Sequence, residues 1–139
     1  MTDGSQVLVD TSTAVAYVVA DHEHHAATVK SLSGRHLGLS GHAAYETFSV
    51  LTRLPPPLRR SARAVRRLLD HDFPGTCFLS AEAGAELFGA LAGRGVSGGA
   101  VYDALVGACA VEHGMRLVTR DRRALDTYRA LEVEVEYLS

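Results

Sequence analysis

Four carboxylates have the types and settings to do chemistry: Asp10, Glu46, Asp103 and Asp121. Asp10 follows the apolar run Val7, Leu8, Val9, and Asp121 closely follows Arg116, Leu117, Val118, Thr119. Each therefore sits where a strand gives way to the next element, and in an open parallel sheet ligands gather outside the carboxyl ends of the strands, where strand order reverses. Either aspartate alone reads equally well as a helix N-cap or turn residue. Asp103 is the only charged residue between Ala100 and Val111. A helix apolar on nearly every face belongs in the interior, and a carboxylate there must be paired, hydrogen-bonded, protonated or bound to a cation. The alternative is a helix-start carboxylate favoured by the helix dipole. Glu46 lies beside the stripe Ala43, Thr47, Val50, Leu54, one turn from His42; alone it reads as an exposed glutamate paired with His42 or Arg53. Together the four offer hard oxygen ligands that suit Mg2+ or Mn2+ better than zinc or copper. No lysine or arginine is evidently reserved for them, so a cluster would repel itself unless one or two divalent ions satisfied it. Such ions can activate water and stabilise the leaving oxygen of a phosphodiester.

The elements that must position these acids alternate between short apolar runs and longer helical patterns, which predicts an α/β fold built from βαβ units. Strands are expected at 7–9, 37–40, 76–79, 116–119 and 133–137, and helices over about 11–20, 22–33, 43–54, 58–71, 80–94, 100–113 and 122–131. Thr11 or Ser12 is expected to cap the first helix and Ser80 the fifth, while Pro55, Pro56 and Pro57 stop the third. No repeat, linker or low-complexity segment interrupts the pattern.

Local contexts add a family resemblance: Val7 to Ser12, Tyr45 to Leu54, Tyr102 to Ala104, and Leu117 to Asp121. Together they resemble a PIN domain of the VapC toxin type, over essentially the whole chain. The resemblance implies a three-layer α/β/α sandwich around a parallel sheet of about five strands, and metal-dependent endoribonuclease activity. It implies Asp10, Glu46, Asp103 and Asp121 as catalytic and Mg2+- or Mn2+-binding residues. It aligns Ser12 and Thr119 with hydroxyls beside the first and last acids; capping or turn hydrogen bonds are their other reading. RNA as substrate, a cognate VapB-like antitoxin and a homodimer follow from the same likeness. One departure is Arg123, where many relatives carry a further acid.

The bulk properties agree. With 139 residues the chain fits one nuclease domain over 1–139, long enough to bury a core without disulfides or a structural metal. No apolar run approaches the roughly 20 residues that cross a bilayer, and Met1 to Gln6 lacks the marks of a signal peptide, so a cytoplasmic location is expected. A net charge of −2 does not argue against nucleic acid, because the positive charge is clustered. Arg59, Arg60, Arg63, Arg66 and Arg67 recur at helical intervals and could hold RNA phosphates, a solvated helix face being the alternative. Cys77 and Cys109 are expected to be buried and inert, and His22, His24 and His25 to lie on the surface. Tyr17, Val18, Val19, Tyr45 and Phe48 could face a partner helix or a second protomer, with core packing the plainer reading.

Competing enzymes fit less well. An aspartyl-nucleophile phosphatase would want a second acid at position 12, which is Ser12, and a receiver domain a late lysine, whereas Lys30 is the sole lysine. A catalytically silent module for RNA or protein, and an RNA-processing nuclease without an antitoxin, remain the alternatives to a toxin.

Overall fold

Continuous burial on both faces marks the central strands in the computed structural model, which describes residues 5–139. The reading of the first four residues as free of a signal sequence lies outside the described residues. The strands are β1 (Gln6–Val9), β2 (His36–Leu39), β3 (Arg116–Thr119) and β4 (Val135–Tyr137). All pair in parallel in the order β2-β1-β3-β4. Such a sheet needs helices on both faces, so its inner strands read as unbroken apolar runs and not as alternating ones.

The helices are α1 (Thr11–Val18), α2 (His25–Leu32), α3 (His42–Thr52), α4 (Ala62–Asp72), α5 (Ala81–Ala90), α6 (Ala100–Glu112) and α7 (Leu125–Ala130). Val7 and Val9 of β1 pack with Leu37, Leu39 and Val118 against α1 to α4. Leu8 and Leu117 point the other way, onto Val106 and Ala110 of α6 and Tyr128 of α7. The alternation of side chains along each strand thus sorts the helices into two layers, and the expected α/β/α sandwich is present. No helix among the described residues is long and apolar enough to cross a membrane.

The sheet has four strands where about five were expected. The segment at 76–79 forms only an isolated bridge, Ser40 with Cys77. It lies along β2 through bonds from Gly75 N to Leu37 O (2.9 Å) and Cys77 N to Leu39 O (3.3 Å). Leu39 N, however, donates to the Thr76 hydroxyl at 2.9 Å and not to a backbone carbonyl, which interrupts the ladder. Gly38 permits the close approach: a Cβ there would stand 2.2 Å from the Gly75 carbonyl oxygen.

Two further boundaries differ from expectation. The arginine-rich helix α4 starts at Ala62 and not near 58, because Ser61 provides the cap by accepting from Ala64 N at 3.2 Å. Arg59 and Arg60 therefore precede the helix, and only Arg63, Arg66 and Arg67 share its periodicity. Helix α1 is capped by Asp10 and not by Thr11 or Ser12.

Candidate active site

Strand order reverses between β1 and β3, and the acids meet at the carboxyl end of that pair. Asp10 leaves β1 only 4% exposed, its backbone N–H still bonded to Val118 O at 3.3 Å. Its Oδ1 accepts from Ser12 Oγ at 2.8 Å and Thr13 N at 3.2 Å, with Thr13 Oγ1 at 3.1 Å. Its Oδ2 accepts from Thr119 Oγ1 at 2.5 Å and the Tyr128 hydroxyl at 3.0 Å.

The direction of two of these bonds is fixed by their neighbours. Ser12 Oγ accepts from Arg120 N at 3.2 Å, and Thr119 Oγ1 accepts from Asp121 N at 3.0 Å. With a backbone N–H on its acceptor side, each hydroxyl turns its own proton to Asp10, and a carboxyl that accepts on both oxygens is bonded as a carboxylate. Burial pushes the Asp10 pKa up, while the bonds from Thr119, Ser12, Thr13 and Tyr128 pull against it.

Asp103 stands in the first turn of α6, half-buried. Burial first, then the negative charges of Asp121, Asp10 and Glu46, push its pKa up to about 6, against the pull of Arg123. The four predicted acids therefore share one electrostatic neighbourhood. Asp121 caps a 3-10 turn at Arg122–Ala124, accepting from Arg123 N at 2.9 Å, with the Arg123 guanidinium 3.5 Å away. Glu46, on α3, stands 3.9 Å from His42 Nε2, and the His42 ring stacks on Tyr102 with centroids 5.2 Å apart. Among the described residues no three of these carboxylates bring oxygens within 4.8 Å of one another, so the like charges do not crowd onto one point.

Thr13 and Tyr128 complete the site without having been singled out from sequence. Thr13 had a legible signal, since the third residue after an N-cap aspartate is where capping bonds fall. Tyr128 had only the general rule that a buried phenol finds a partner, which does not tell it from Tyr137. The five arginines make no hydrogen bond or ion pair with the acids: Arg59 donates to Leu54 O, and Arg66 to both oxygens of Asp70 at 3.0 Å. Tyr17, Val18, Val19 and Phe48 pack on the core, whereas Tyr45 is 66% exposed.

A family model for the PIN domain matches residues 7–130. The chain belongs to the PIN-domain family. This PIN domain is 46% identical over 127 residues to Ribonuclease VapC27 of Mycobacterium tuberculosis, across 91% of this chain and 93% of the relative. It is 47% identical over 132 residues to Ribonuclease VapC40 of the same species, across 94% and 97% of the two chains. Among solved structures, its fold matches the crystal structure of VapBC2 from Rickettsia felis bound to a DNA fragment from their promoter. The TM-score is 0.69 at 14% identity, covering 96% of this PIN domain and 99% of that chain.

Proposed function

We propose that this PIN domain, as one catalytic unit over 1–139, is a metal-dependent endoribonuclease of the VapC toxin type, held in check by a cognate VapB-like antitoxin. The observation that carries the reading is the meeting of four acids at the β1/β3 junction, with Asp103 pushed up to about 6 by burial and its neighbours' charge. The relatives that share nearly half of its residues are ribonucleases. Hard carboxylate oxygens on Asp10, Glu46, Asp103 and Asp121 fit Mg2+ or Mn2+, which when bound would polarise the phosphodiester and activate water.

The chain's own groups set the terms of that binding. Ser12, Thr119 and Tyr128 fix the plane of the Asp10 carboxylate. The Thr13 hydroxyl is the donor that can leave, because it also faces Val118 O at 3.1 Å; turning there relieves Oδ1 of one of its three donors. Arg123 stands beside Asp121 and sets a positive charge against the acids.

RNA is held, in this reading, by arginines of the α4 region and by an aromatic ring beside the acids. Arg63 and Arg67 on α4, with Arg59, Arg60 and the Asp70-paired Arg66, supply phosphate contacts. Tyr102, 53% exposed and next to Asp103, offers a ring face to an unpaired base. A cytoplasmic location and self-association into a homodimer belong to the same proposal.

The test is cleavage of purified total RNA in Mg2+ or Mn2+ by the antitoxin-free chain, beside Asp103→Asn and an EDTA control. Discrete products lost in both controls are expected. Intact RNA with folded wild-type protein would overturn the reading in favour of a silent binding module.

A further inference from the structure

Away from the carboxylates, α6 carries a second set of ligand atoms of quite different chemistry. Cys109 lies six residues beyond Asp103, about 9 Å further along the helix axis at 1.5 Å per residue. His113 follows at i+4 on the same face. Facing them from the edge of β2 is Cys77, whose Sγ stands 3.9 Å from Cys109 Sγ. Two thiolates bound to tetrahedral zinc at about 2.3 Å are held about 3.8 Å apart. One ligand atom from each of Cys77, Cys109 and His113 falls within 4.8 Å of the others, the set that achieves this among the described residues.

The surroundings orient these groups. His113 Nε2 bonds to Phe78 O at 2.9 Å, which anchors the ring beside the Cys77 segment. The neighbouring Glu112 is fixed by Ser80, whose N–H donates to Oε1 at 2.8 Å and whose hydroxyl donates to the other oxygen, and Oε1 stands 3.9 Å from His113 Nε2. A backbone carbonyl and a carboxylate beside the imidazole are the partners that ligating histidines commonly keep. Cys109 is buried, Cys77 half-buried and His113 exposed, so both sulfurs are sheltered while one side stays open to solvent. Of the two thiols expected to be buried, Cys109 is buried and Cys77 is half-buried.

We propose that Cys77, Cys109 and His113 form a separate site for a borderline-soft divalent cation, Zn2+, with the fourth coordination position open to solvent. Thiolate and imidazole select such an ion over Mg2+, so the two sites do not compete for one metal. Binding releases thiol protons to solvent and fastens α6, which carries Asp103, to the segment lying along β2. The proposal stands independently of the nuclease reading.

Co2+ titration of the full chain, kept reduced with a phosphine, tests it directly. A sulfur-to-cobalt charge-transfer band with tetrahedral visible bands, saturating at about one equivalent and bleached by Zn2+, is expected. Cys77→Ser removes the band, His113→Ala weakens binding at least tenfold, and Asp103→Asn leaves it intact. Cys77 is the half-buried thiol, so its variant keeps the test open if Cys109→Ser does not fold, with circular dichroism as the check. No sulfur-to-cobalt band in the reduced wild type, a band that survives Cys77→Ser in folded protein, or a Cys77–Cys109 disulfide in place of metal uptake would each overturn it.

Discussion

Asp10 and Asp103 are neighbouring carboxylates handled in opposite ways. Asp10 is buried among donors, whereas Asp103 is half-buried among acids, and each arrangement predicts a different experiment. Thr119→Val deletes the hydroxyl that links Asp10 to the Asp121 backbone without changing the residue's size. It should lower kcat about 10- to 100-fold and cost about 1 to 3 kcal/mol of stability, with Thr119→Ser restoring kcat; single-turnover cleavage and urea unfolding measure the two. Asp103 predicts a pH effect. Its folded pKa is raised to about 6 from 3.8, so the ionised form penalises the folded state. The penalty is fully present above about pH 6, shrinks as pH falls through that value and vanishes below about 4. In EDTA, Asp103→Asn should therefore melt higher than wild type at neutral pH and lose that advantage on acidification, as differential scanning fluorimetry would read; Mg2+ at neutral pH should reverse the order. The sequence revealed Asp10 and Asp121 because strand ends are legible in apolar runs, and Asp103 because it is alone in an apolar helix. Tyr128 was not legible, since which buried phenol reaches Asp10 depends on how α7 docks.

At the scale of elements, the apolar runs located all four strands, whereas the edge of the sheet and the start of α4 were decided by side chains. Thr76 takes a ladder position with its hydroxyl, and Ser61 captures the helix start that the arginine spacing placed earlier. Neither choice shows in a hydrophobic pattern. The edge segment touches β2 backbone to backbone at Gly38, where a methyl group would meet the Gly75 carbonyl. Gly38→Ala should cost about 1 to 3 kcal/mol, as overpacking does. On α5, a methyl group at Gly89 would meet no atom within 4 Å, and Gly89→Ala should gain up to about 1 kcal/mol from helix propensity. Urea midpoints of the pair separate a steric contact from a general dislike of change at glycine.

At the scale of the molecule, a net charge of −2 hides acids gathered at one end of the sheet and arginines crowded between 53 and 67. Replacing Arg63 and Arg67 together by Gln should weaken binding to uncleaved single-stranded RNA and reduce the log–log salt slope by about 1.4, two contacts at about 0.7 each; fluorescence anisotropy across a salt series checks it. Strand order has a consequence in time as well as in space. Because β3 lies between β1 and β4, the middle of the sheet waits for a strand that follows α1 to α6 in the sequence, and the same later stretch brings Thr119, Asp121 and Tyr128 to Asp10. Synthesis proceeds from the N-terminus, so a growing polypeptide that has reached α6 already carries three of the four acids together with Ser12 and Thr13, but lacks Thr119 and Tyr128, the two donors to the other oxygen of Asp10. The order of translation thus delays the full bonding of Asp10 until β3 and α7 have followed α6 off the ribosome.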